Sequence, residues 1–94
     1  MIKSRLNIGI IGIGNIGLEV FKQLISNFQL NELFFVESVL VRDIKKYTNA
    51  ISKDIGFRNK VDIALEKLTD SEDKFFSNNN IDVIIELIGG VDPA

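Results

Sequence analysis

The chain contains no cysteine and no histidine among its 94 residues. Without cysteine there is no disulfide framework and no thiolate metal site. Without histidine, the commonest metal ligand and the side chain that exchanges protons near neutral pH are both missing. Chemistry run by imidazole or thiol is therefore excluded, and no metal site is expected. Long apolar runs are lacking too: no stretch approaches the roughly 20 residues that a membrane-spanning helix needs. Met1 to Arg5 carries two positive charges, but the apolar run after it is short and broken by Asn7 and Gly9, a poor match to a secretory signal. Basic excess is absent as well. With 11 Lys plus Arg against 13 Asp plus Glu, and no cluster beyond Lys45-Lys46, a net charge of −2 gives nucleic acid little to hold. What remains, 46% hydrophobic and 26% charged, is the composition expected of a cytoplasmic α/β domain.

The informative segment lies near the amino terminus. Leu6 to Ile11 is almost continuously apolar, as a strand covered on both faces should be, and it runs into Gly12-Ile13-Gly14-Asn15-Ile16-Gly17. Apolar residues then recur every four positions, at Ile16, Val20, Leu24 and Phe28, with Phe21 and Ile25 widening the stripe; this predicts a helix over about 15–28. A strand, a glycine turn and a helix in this order can hold a dinucleotide pyrophosphate. Gly12 permits the tight turn, Gly14 lets the diphosphate approach the backbone, and Gly17 lets the helix lie close to the sheet. The phosphates would rest on the helix N-terminus, where free N–H groups and the dipole favour negative charge. A plain packing turn satisfies the same string, so the glycines alone do not separate the two readings.

Further along, 29–35 reads as a connection whose Leu30, Leu33 and Phe34 pack under the sheet edge, and Val36 to Val41 as a second strand. A helix is expected from Lys45 to Asp54, closed by Gly56, then a short strand at Ala64 to Leu68 and a short helix from Asp70 to Phe76 opened by Thr69 or Asp70. Asn78-Asn79-Asn80 is a loop, and Ile81 to Ile88 a strong strand ended by Gly89-Gly90. The order implies a partial Rossmann fold: a parallel sheet of about four strands with flanking helices and right-handed crossovers. In the usual strand order the fourth strand pairs with the first and awaits a fifth, so its exposed edge invites self-association.

Three segments together carry a resemblance. The glycine turn, Val39-Leu40-Val41-Arg42-Asp43 at the end of the second strand, and Glu86-Leu87-Ile88-Gly89-Gly90-Val91-Asp92-Pro93-Ala94 resemble the N-terminal NAD(P)-binding domain of homoserine dehydrogenase. That family interconverts L-homoserine and L-aspartate 4-semialdehyde, on the route to threonine, isoleucine and methionine. The resemblance covers both ends of the chain well and residues 44–80 loosely. It implies that residues 1–94 are the first part of a cofactor-binding domain, that the substrate and catalytic domain is absent, and that no catalytic residue is carried here. The segment is then expected to be inactive in isolation. A stand-alone module that binds or senses NAD(P) without catalysis is the alternative.

By the same resemblance, Ile13, Asn15 and Ile16 lie along the pyrophosphate and its ribose, mainly through backbone groups. Arg42, 25 residues past Gly17, stands where an acid bonds the ribose 2′-hydroxyl of NAD and where an arginine accommodates the 2′-phosphate of NADP. NADP is favoured; Asp43 beside it keeps NAD open. A solvated charge paired with Asp43 is the bland reading of Arg42, and a wet helix start that of Lys45-Lys46. Gly89 and Gly90 could admit the nicotinamide-side ribose or simply end a strand. Glu86, a carboxylate in an apolar strand, calls for a partner if it is buried.

Overall fold

The computed structural model describes residues 5–87, apart from the side chains of Asn15 and Ile16. Four parallel strands form one sheet in the order β3-β2-β1-β4, with β1 at Leu6–Ile11, β2 at Phe34–Leu40, β3 at Leu68–Thr69 and β4 at Val83–Glu86. The helices are α1 (Asn15–Ser26), α2 (Phe28–Leu33), α3 (Ile44–Lys53), α4 (Val61–Lys67) and α5 (Glu72–Phe76), with a 3₁₀ segment at Ile55–Lys60 between α3 and α4. This is the expected α/β arrangement, a partial Rossmann-like fold with β1 at its centre.

Alternation along β1 assigns its two faces. Ile8 and Ile10 are buried with Phe21, Leu24 and Ile25 of α1, Val36 and Val39 of β2, Ile51 of α3, Phe57 and Ala64. Phe21 and Phe57 meet edge to face, with ring centroids 5.9 Å apart. Gly9 points to the other face, where a Cβ would stand 2.9 Å from the Phe75 ring and 2.8 Å from Ile81. Its missing side chain is what lets α5 and the following loop lie directly on the sheet. Outside the core, Lys22 of α1 reaches Glu19 at 3.0 Å and Asp54 at 3.1 Å, while Asp54 accepts a hydrogen bond from Gly56 N at 2.8 Å. One lysine thus ties α1 to the start of the 3₁₀ segment.

The structure departs from the sequence reading at several places, and β2 begins at Phe34 rather than Val36. The first helix stops at Ser26, because Asn27 turns extended and its side chain accepts from Leu30 N, capping α2 where a loose connection was expected. Phe28 is consequently 76% exposed rather than part of the buried stripe, and Leu33 is exposed too, while Leu30 and Phe34 do pack on the core. Residues 64–67, expected as strand, belong to α4. Val61, Ala64, Leu65 and Leu68 stand at i, i+3, i+4 and i+7, the spacing of a helix face turned to the core, and only Leu68–Thr69 pairs with β2. Ser71, rather than Thr69 or Asp70, caps α5 by accepting from Lys74 N. The last strand is shorter than expected, Val83–Glu86, and Ile88 to Ala94 lie outside the described residues.

Candidate functional site

The carboxyl ends of β1, β2 and β3 are drawn level by backbone bonds from Gly12 N to Leu40 O (2.8 Å) and from Val41 N to Thr69 O (2.9 Å). Beyond them opens a crevice of about 570 Å³, within the range of small-molecule and cofactor sites. Its first wall is the glycine turn, its second the residues after β2, and its third the turn between β3 and α5.

The turn owes its shape to its glycines. Gly12 has φ 70°, the left-handed region that a side chain disfavours, and so swings the chain sharply out of β1. Ile13 lines the crevice at this turn and is fully buried. Gly14 occupies the N-cap position of α1 and has no side chain to close the helix. Asn27, Asp43 and Ser71 close α2, α3 and α5 with side-chain hydrogen bonds; α1 and α4 have no such cap, and α1, unlike α4, has no acid in its first turn either. The first N–H groups of a twelve-residue helix are therefore left for a partner from outside the helix. At Gly17 a Cβ would lie 3.1 Å from Leu87 Cβ and 3.2 Å from Leu87 O, so this glycine sets the close approach of α1 to the chain just past β4.

On the second wall, Arg42 is exposed and lines the crevice together with Asp43, Lys46 and Tyr47. Arg42 and Asp43 form no ion pair. The Asp43 carboxylate instead accepts from Lys46 N at 3.0 Å as the cap of α3. Lys46 lines the crevice with its ammonium 5.5 Å from the centre of the Tyr47 ring, whereas Lys45 is a solvated residue. Asp70 and Glu72 make the third wall, and sequence reasoning missed them as it missed Tyr47. The signal was available in principle, since ligands of open parallel sheets lie beyond strand carboxyl ends and Asp70 directly follows β3. The expected strand ends at Leu68, one residue before the observed end, and Asp70 reads there only as a helix cap. Glu86, expected to need a partner if buried, is exposed at the end of β4 and does not line the crevice. Gly89 and Gly90 lie outside the described residues.

Among the described residues no group of three or more carboxylates is placed to hold a metal ion, and no helix is long and apolar enough to cross a membrane. No family model and no solved structure matches the chain. A curated protein does. The homoserine dehydrogenase of Helicobacter pylori (strain ATCC 700392 / 26695) is 32% identical over 95 aligned positions, covering 96% of this chain and 19% of that protein. The chain thus spans about a fifth of the length of its relative. The similarity connects a whole Rossmann-like segment with an oxidoreductase.

Proposed function

We propose that this chain is the amino-terminal cofactor-binding segment of a homoserine dehydrogenase-like oxidoreductase, and that its crevice takes NADP, or NAD, with the adenosine half along the three strand ends. The observation that carries the reading is the uncapped N-terminus of α1 behind Gly12 and Gly14, opening into a crevice whose next wall bears Arg42. A pyrophosphate would accept from the first N–H groups of α1, and Arg42 would meet the ribose side. Similarity to a homoserine dehydrogenase supports the choice of a nicotinamide dinucleotide over other phosphorylated ligands. When bound, the cofactor supplies the hydride acceptor; this chain's part is to hold and orient it. No residue here is assigned to proton removal from a substrate, and homoserine oxidation is not expected from these 94 residues alone.

Titration calorimetry of NADP and NAD against the 94-residue chain tests the reading. Binding is expected for the wild type, and Gly14→Val should abolish it by setting a branched side chain where the diphosphate approaches. Equal affinities for wild type and variant would remove the turn from the site.

A further inference from the structure

We infer that the turn between β3 and α5 reads the base of the bound nucleotide, with Asp70 accepting a hydrogen bond from the exocyclic amine of adenine. The inference rests on the cofactor reading above and assigns the base a specific contact on the wall after β3. The glycine turn follows β1, Arg42 follows β2 and Asp70 follows β3, and these strands are consecutive neighbours in the sheet. Two strand spacings amount to about 10 Å, a distance that one extended nucleoside covers. With phosphate on the turn and ribose beside Arg42, the base falls at the end of β3.

Charge agrees with this order. The cations of the crevice, Arg42 and Lys46, sit on the β2–α3 side, where the carboxylate of Asp43 is tied to the α3 backbone. The β3–α5 side carries Asp70 and Glu72, neither of which has a hydrogen-bond or ion-pair partner for its carboxylate among the described residues. Phosphate is favoured on the first side and repelled from the second. A neutral base that presents an amine donor suits the second. Carboxylates accept hydrogen bonds and cannot donate them, so this wall distinguishes adenine, with an amine at position 6, from hypoxanthine, whose carbonyl oxygen there would face a negative charge. Asp70 is assigned the contact over Glu72 because it stands directly at the strand end, whereas Glu72 already begins α5.

The test compares the affinity of NADP with that of its 6-oxo counterpart, nicotinamide hypoxanthine dinucleotide phosphate, on the 94-residue chain by calorimetry. The wild type should favour the adenine form by about tenfold or more, as for other hydrogen bonds to charged groups. Asp70→Asn, whose amide both donates and accepts, should narrow the preference to about twofold while still binding NADP, which also shows that the variant is folded. Equal binding of both dinucleotides by the wild type, or an unchanged preference in Asp70→Asn, overturns the base-reading role and leaves the cofactor reading standing. Failure of the wild type to bind either dinucleotide overturns both.

Discussion

Single residues in this chain act as often by what they lack as by what they carry. Gly9 leaves room for Phe75 and Ile81 against the sheet, Gly12 supplies a left-handed φ, and Gly17 brings α1 onto the chain beside Leu87. Three glycines close together thus answer three separate steric demands, of which only the last two belong to the recognisable motif. Arg42 acts by presence. Exposed, lining the crevice and unpaired with Asp43, it is free to meet a 2′-phosphate, which NAD lacks. Arg42→Ala is expected to weaken NADP relative to NAD by about 1.5–3 kcal/mol, the range for hydrogen bonds to charged groups. Comparative titration of the two cofactors measures this directly. An unchanged ratio would mark Arg42 as a solvated strand-end charge.

Between elements, the contact most open to manipulation is the one that Lys22 makes from α1 to Asp54. The hydrogen bond from Gly56 N, then that from Lys22, holds the Asp54 carboxyl below its ordinary value of 3.8. Hydrogen bonds to Glu19 and Asp54 hold the Lys22 ammonium above its ordinary 10.5. A depressed carboxylate contributes stability that is complete above its unfolded value and disappears as pH falls through the lower folded value; a raised ammonium contributes below 10.5 and loses its effect above that. Asp54→Ala should therefore cost about 1 kcal/mol near neutral pH, mainly through the lost cap on the 3₁₀ segment. In urea denaturation series at several pH values, the gap between wild type and variant should close below pH 3.8. A gap that persisted in acid would show that the carboxylate charge is not what holds α1 to the segment.

At the scale of the whole molecule, the sheet is protected unevenly. β1 and β2 lie inside the order β3-β2-β1-β4, and β4 pairs with β1 along one edge while no described strand lies along the other. Val83 and Ile84 are 40% and 45% exposed there. An apolar strand edge of this kind pairs readily with a second copy. The purified chain is expected to self-associate, and Ile84→Lys should return the mass measured by light scattering toward that of one chain, because an edge lysine opposes strand pairing. A monomeric wild type at the same concentration would contradict this.

The sequence by itself determined the elements whose signals are local and strong. A nearly continuous apolar run placed β1 at Leu6–Ile11 to the residue, and the period of the following stripe placed α1. The alternation of strands and helices determined a parallel sheet with β1 flanked by β2 and β4. Arg42 was readable for the same reason, since a strand end is a local event. Only the tertiary structure decided the stretch before β3. There, residues 61–68 suit a short strand or a helix equally until packing of Val61, Ala64 and Leu65 on the core selects the helix. It also decided the third wall of the crevice. Asp70 comes level with Gly12 and Arg42 because Leu68 and Thr69 pair with Val39 and Leu40, a non-local registration that no window of sequence contains.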